Sequence, residues 1–526
     1  MALSAALALA LGAAPAAAQP ASDAQSWETP MAAGDRAYQL GRYAEAERFF
    51  AAALERAERL GAQDPRVALS LGLLAAAYQA EGRYAAAEPL LRRALTIAEG
   101  ALGADHPEVA ATLTALGALG AAQGRYGQAE PLLRRALAID ERVLGPEHPE
   151  VAGTLDALAT IERLQGRYGE AEMRSRRALA IREKVLGPDH ADVAASLETL
   201  AALYRLQSRY VEAEQLAQRA LAIREQTLGA EHPEVIGPLL TLGELYAEQG
   251  RLAQAESLGR RALAVAERAL GPEHPEVAAA LDLLAGLART RGRYADAETL
   301  GRRALAVREK ALGAEHPDVA ATLSGLAELS VLRQNATQAE SLARRALAIQ
   351  EKLLGAEHPD LARSLRALGE AQRLQNKYAE AEPSYQRALA IDEKRLGRES
   401  PRVALDLGSL GTLYRLQSKY AQAEPLYKRA QAIGEKVLGP EHPQVAATIV
   451  DLASLYRAQS RFAQAEPLYQ WALTLQRKAL GPDHPDIAES REEYAALLKQ
   501  INREPEAAEM EAQARAIRAK AGAPAR

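Results

Sequence analysis

The chain contains no cysteine. Disulfides, thiolate zinc sites, cysteine nucleophiles and a lipid-modified N-terminal cysteine are therefore excluded. Aromatic residues make up only 4% although apolar residues reach 48%, so the core must be mostly Ala and Leu, strong helix formers that pack closely. The net charge is only −5 over 526 residues. A nucleic-acid protein normally shows a basic excess, so none is expected as a partner. Beyond the N-terminus no run of 18 uncharged apolar residues occurs, and no membrane span is expected in the mature chain. Also missing are a Gly-rich phosphate loop after a strand, His-Glu-x-x-His and Gly-x-Ser-x-Gly.

What the chain has is a period. Leu-Gly-Pro-Glu-His-Pro-Glu-Val-Ala runs from Leu144 to Ala152 and returns from Leu270 to Ala278. All nine histidines, at 106, 148, 190, 232, 274, 316, 358, 442 and 484, lie on one lattice of step 42. Ser400 fills the missing node, and Asp64 stands one step before His106. A fixed period of this size means a repeat array, which overrides a domain count drawn from length.

Each unit reads as helix A, a Gly-Arg-Tyr-type turn, helix B and the Leu-Gly-x-x-His-Pro connector. Counting from Pro30 gives twelve helix pairs. Helix A carries apolar stripes at i, i+3, i+4, i+7, as in Leu197, Leu200, Ala201, Tyr204 and in Ile449, Leu452, Ala453, Tyr456. The small third residue lets the partner helix approach. Helix B is apolar over a wide arc, with Leu132, Ala136, Ile139 and Val143 in one stripe and Leu133 and Leu137 beside it. It is therefore expected to be covered on two sides, so that one unit alone cannot fold and neighbours must stack. In the connector, Gly145 suits a helix end in the left-handed region. Pro149 suits the first position of the next helix, and Glu150 the positive end of its dipole. Pro89, Pro131, Pro383, Pro425 and Pro467 are read as marks of helix starts. The eighth unit departs from the pattern, with Ser330 in the Tyr position and Gln334-Asn335-Ala336 as its turn, and a looser joint is expected there.

Leu-Ala-Ile-Arg-Glu-Lys-Val-Leu-Gly-Pro-Asp-His at 179–190, then Val193-Ala194 and Leu203-Tyr204, together with Ala-Glu-Pro-Leu-Tyr-Lys-Arg-Ala at 423–430, resemble tetratricopeptide repeats of the 42-residue kinesin light chain type. The resemblance covers nearly everything from Met31 to Ile517. It implies an all-α, right-handed superhelical solenoid whose concave groove, lined by helix A, binds extended peptides. The N-terminal coiled coil of kinesin light chains is absent, so a motor-adaptor role is not expected.

Residues 2–18 form a short apolar run ending in Ala16-Ala17-Ala18, the pattern of a secretory signal peptide, although no Lys or Arg precedes it. A bacterial, exported, periplasmic protein is expected, with 1–18 as leader, 19–29 as a polar lead-in, 30–520 as solenoid and 521–526 as tail. Pro505 to Lys520 reads as a solvated capping helix.

Three ladders recur. Nine histidines at helix starts suggest capping, not metal binding, since helices 8–10 Å apart cannot bring successive rings to one ion. Arg163, Arg205, Arg289, Arg373, Arg415 and Arg457 share one slot of helix A. The resemblance puts that slot on the groove, where guanidinium groups could hold an acidic or carboxylate-bearing peptide. Asp156, Glu198, Asp282 and Arg366 lie seven residues before that slot on the same face. The alternative is a solvated face whose charges pair between units. The third ladder, Arg-Arg pairs in helix B such as 134–135 and 302–303, is read as hydrated outer surface.

Every stretch from Pro30 to Lys520 is taken up by a repeat, so no catalytic domain, catalytic residue or cofactor is expected. The reading is a non-enzymatic scaffold for a protein or peptide partner. The alternatives are an assembly component working through its convex face and edges, or a helper subunit of an exported enzyme.

Overall fold

The computed structural model describes residues 21–521. The proposed leader, 1–18, lies outside them, as do residues 19–20 and 522–526. The described residues form 24 α-helices in twelve antiparallel pairs and no strand. Helix A of a unit is typically 16 residues, as in Pro149–Leu164, and helix B 18 or 19, as in Tyr168–Leu186. The twelfth pair is Pro485–Gln500 and Glu504–Ala521, and the last helix buries Ala507, Ala514 and Ile517 against it. The first helix differs from expectation. It begins at Ala21, well before Pro30, and runs to Gln39. Trp27 explains the extra length: it is buried with Met31 and Phe50, and its indole N–H donates to Ser70 Oγ at 3.0 Å.

The connector works as a helix start. All nine histidines take extended backbone angles at the N-cap, and each Nδ1 accepts the amide N–H two residues on, at 3.2 Å for Glu108 onto His106. Asp64 and Ser400 perform the same task with side-chain oxygens. The turns close equally regularly. Gly82 sits at φ +71, Gly82 N–H bonds Gln79 O and Arg83 N–H bonds Tyr78 O. The eighth unit repeats this geometry: Gln334 is at φ 59, Asn335 N–H bonds Ser330 O at 2.9 Å, and Asn335 Oδ1 caps Gln338 N–H. The expected looser joint is absent because a polar residue adopts the same left-handed turn there and Asn335 adds a cap.

Two other expectations are corrected. Pro89 and its counterparts sit five residues past the helix-opening Tyr or, for Pro467, Phe462, beyond the unbonded first donors, so each forgoes one backbone bond inside a helix that nevertheless continues. Helix A, not helix B, is the more enclosed element. In the third unit helix B buries Leu133, Ala136 and Ile139, while Val143 is 47% exposed on the outer surface. Small residues in helix A do allow close approach: a Cβ on Gly117 would lie 2.5 Å from Leu133 Cγ.

Neighbouring units are braced by polar contacts. Arg209 stacks on Tyr204 at 3.6 Å and pairs with Glu172 of the preceding helix B at 3.0 Å, and Arg251, Tyr246 and Glu214 repeat the arrangement. The Arg-Arg pairs are also engaged. Arg134 bonds Glu130 within its helix at 2.7 Å, and Arg135 reaches Glu99 of the preceding helix B at 2.8 Å.

The coil is tight enough for successive superhelical turns to touch. His274 Nε2 meets Ala80 O at 3.1 Å across 194 residues, and His316 meets Ala122 O at 2.7 Å. His358 with Leu164 O, His442 with Glu248 O and His484 with Thr290 O repeat the bond. Because Nδ1 accepts the capping N–H, Nε2 carries the proton and donates. The turn glycines face the connector prolines across the same seam: a Cβ on Gly124 would lie 2.6 Å from Pro317 Cδ. The seam therefore joins the turn of one unit to the connector that opens the fifth unit after it. It closes the side of the expected open trough, and the concave surface becomes a channel.

Candidate functional site

Helix A lines this channel. One cavity of about 460 Å³ is bordered by Arg205, Glu244, Glu248, Asp282, Arg289 and Arg363 among Ala, Gly and Leu residues. A second, of about 410 Å³, lies further along, with Arg289, Glu328, Arg366, Glu370, Arg373 and Glu489 around Leu332 and Leu405.

The arginine ladder is largely neutralised from within. Arg205 pairs with Glu244 at 2.9 Å and with Glu248, both on the next helix A. Burial alone would lower its pKa, but those two carboxylates override it and the net shift is upward. Arg289 approaches Glu328 to 3.5 Å, Arg457 bonds Glu493 at 2.6 Å, and Arg373 bonds Glu370 of its own helix at 2.8 Å. Arg415 faces Tyr427 and Asp451. Burial drives Glu328 up, yet Arg363 and Arg289 bring it down to about 2.

Arg163 differs. Among the described residues it forms no ion pair, which is true of Arg415 as well, and like Arg205 and Arg415 it buries an Nε without a hydrogen-bond partner; unlike theirs, its pKa is shifted downward. Burial lowers its pKa, and the neighbouring Arg205 lowers it further. The cause is compositional. The following helix A offers Thr199, Ala202 and Leu206 where the other units supply Glu244, Glu248, Glu328 or Glu493. Tyr126 and Tyr168 lie close enough for Arg163 to bear on both hydroxyls.

The carboxylates earlier on helix A are turned toward their own helix B. Asp156 pairs with the buried Arg182 and accepts Ser196 Oγ–H at 2.6 Å. Glu198 bonds Arg224 at 3.1 Å, and Asp282 pairs with Arg308. Arg366 carries the reverse charge and bonds Asp406 at 2.5 Å, with Asp392 of its own helix B beside it. Burial raises Asp156 to about 6 and Glu198 to about 7, partly offset by the arginine beside each.

Arg182, Arg224 and Arg308 were not singled out from the sequence, yet the signal is there. Acid on helix A and Arg 26 residues later occur together at 156/182, 198/224, 282/308 and 492/518. At 366/392 the charges exchange places, at 72/98, 240/266, 324/350, 408/434 and 450/476 both positions are uncharged, and at 114/140 Asp140 stands opposite the neutral Thr114. Swapped and jointly absent charges identify structural pairs.

A tetratricopeptide repeat family model matches nine overlapping segments that run from 33 to 520, with a gap only at 227–233 and 395–401. The chain belongs to the tetratricopeptide repeat family. Repeats of this family mediate protein interactions and are typically non-catalytic scaffolds. No curated protein matches the chain. Similar solved structures include nearly identical TPR-like repeats of a kinesin light chain type from Podosopora anserina, at 29% identity over 39% of this chain and 98% of that one, TM-score 0.32. BtubC (BKLC) from P. vanneervenii matches at 21% identity over 45% of this chain and 93% of that one, TM-score 0.33. A Rap protein complexed with competence and sporulation factor matches at 15% identity over 71% of this chain and 99% of that one, TM-score 0.52, a likeness of fold. No described helix is long and apolar enough to cross a membrane.

Proposed function

We propose that the chain is a non-enzymatic scaffold that holds an extended segment of a protein partner inside its channel, with an acidic or carboxylate group of that segment on Arg163. The observation that supports this reading is Arg163, which forms no ion pair among the described residues and whose charge is disfavoured by burial and by Arg205, whereas the charge of Arg415, the other ladder arginine without an ion pair, is favoured by Tyr427 and Asp451. An anion from a ligand relieves a desolvated, unpaired charge in a way that the other rungs do not require. The outer face has less to offer, since its Arg-Arg pairs already bond their neighbours. The partner meets the protein outside the cytoplasm if residues 1–18 act as the leader their sequence suggests.

The test is affinity capture with the chain from Gln19 onward against the envelope fraction of its source cells, with wild type and Arg163→Ala side by side. A partner retained by wild type and lost from the variant, both folded, supports the reading. Equal retention by both removes Arg163 from it.

A further inference from the structure

We propose that the seam between superhelical turns is also the door to the channel, and that it opens sideways at Ser208 and Ser400. This rests on the channel being the binding site, and adds how a segment flanked by folded domains enters without threading an end.

The seam is a series of nodes, each joining a turn to a connector. At four nodes in succession a Gly faces Pro: Gly41 with Pro233, Gly82 with Pro275, Gly124 with Pro317 and Gly166 with Pro359. A Cβ at those glycines would come within 2.6 to 2.9 Å of the proline ring. From Ala80 to Leu164 each of the last three nodes adds a histidine donating to a carbonyl. The next node breaks both rules at once. Ser208 replaces the glycine, at φ 60, and Ser400 replaces the histidine. Ser400 Oγ accepts Arg402 N–H as a cap and has no ring to extend toward Leu206 O, which stands where its neighbours' carbonyls are bonded. What holds the node is Leu396, packed against the cluster that contains Tyr168, with the Arg402 charge bearing on Tyr168 and Glu248 across the seam and no histidine bond. Apolar contact resists sliding less than a directional bond does.

The looseness continues on one side. At the next node a Cβ on Gly250 would stand 3.9 Å from Pro443, and His442 meets Glu248 O at 3.2 Å. Beyond it the turns part around a cavity of about 770 Å³ lined by Gly250, Arg251, Arg293, Leu480 and Pro482. The seam closes again at Gly292 against Pro485. The weak stretch thus has firm nodes at both ends, as a lateral slit requires. It also lies beside the 460 Å³ cavity around Arg205 and Glu248.

The test needs no partner. Because the chain has no cysteine, Ala247→Cys places a single thiol on the channel wall. Its labelling rate is read with N-ethylmaleimide and with a maleimide carrying a 5-kDa polyethylene glycol (roughly 5 kDa as supplied). Ser208→Gly with Ser400→His rebuilds the node in the form used elsewhere. One added hydrogen bond predicts labelling by the bulky reagent to slow on the order of fivefold, with the small reagent little affected. Hydrogen exchange at amides 206–210 and 401–405 should slow by a similar factor and remain unchanged at 164–168. Unchanged bulky labelling and exchange in the rebuilt variant would overturn the door. If the door stands while Arg163→Ala keeps its partner, it is the anchor that fails.

Discussion

The contact between superhelical turns can be weighed by exchanging the residues of two turns. Gly124 and Ser418 occupy the same slot and the same left-handed conformation, at φ +71 and φ 60. Gly124 faces Pro317, whereas no connector among the described residues stands five units after Ser418. Placing Ser in the left-handed region costs about 1 kcal/mol relative to Gly. Without a seam, Gly124→Ser destabilises by that amount and Ser418→Gly stabilises by the same amount. With the seam, the new Cβ lies 2.6 Å from Pro317 Cδ and 2.7 Å from Cγ, and one side must yield. Overpacking of this kind adds about 1–3 kcal/mol. Gly124→Ser should therefore destabilise by roughly 2–4 kcal/mol and Ser418→Gly stabilise by about 1. Repeat arrays do not unfold in one step. Opening free energies from hydrogen exchange at residues 124–130 and 418–424 are the suitable measure, with small-angle scattering to detect lengthening. Equal and opposite changes at the two sites would refute the contact.

Other predictions follow from the same contacts. Ala202→Glu supplies Arg163 with the carboxylate its neighbours have and should stabilise the fourth and fifth units by up to about 1 kcal/mol, read as slower hydrogen exchange at amides 160–164 and 200–206, while abolishing partner capture; faster exchange there contradicts the unpaired state. Trp27→Ala should cost about 3–5 kcal/mol and release the first pair to rapid exchange, leaving units beyond the third unchanged. Burial lowers the pKa of His274 and His442, so both favour the neutral form when folded. Their contribution is fully present above the unfolded pKa of about 6.5 and is lost as pH falls through the lower folded value, so seam amides at 248–252 should exchange faster at pH 5 than intrinsic rates predict. Burial raises Asp451 to about 7 despite Arg415. Its ionisation therefore disfavours the fold as pH rises from about 4 past 7, and Asp451→Asn should stabilise at pH 8 and be nearly neutral at pH 4.

The fold was legible because every level of the sequence repeats it. The 42-residue lattice, the Gly that follows helix B in eleven units and the Pro that opens helix A in ten repeat the same signal along the chain, and the histidine caps followed from position alone. The first helix was misread because Pro30 looks like a start, whereas Trp27 binds the preceding turns to Ser70. The arc covered on helix B was overestimated since Val143 counts as apolar in any pattern yet sits outside.

The seam was harder to see. It depends on the pitch of the whole coil, which no single unit encodes. Its trace is nevertheless present: Gly stands at 82, 124, 166, 250 and 292, where a later connector exists to meet it. Gln334, Asn376, Ser418 and Ser460 meet no connector among the described residues, and Ser208, which has one at Pro401, is the exception. The ladder arginines were found by spacing. Which of them are unpaired depended on acids one helix away, and only the stacked units bring those together.

One distance tests the account most directly. Cysteines at Gln123 and Glu315 flank the contact between Gly124 and Pro317, and nitroxides on both report their separation by pulsed electron spin resonance. Touching turns predict a narrow distribution below about 25 Å, two helix diameters with the label arms. A distribution centred beyond about 40 Å, four helix diameters, would mean an open coil with no seam and no enclosed channel.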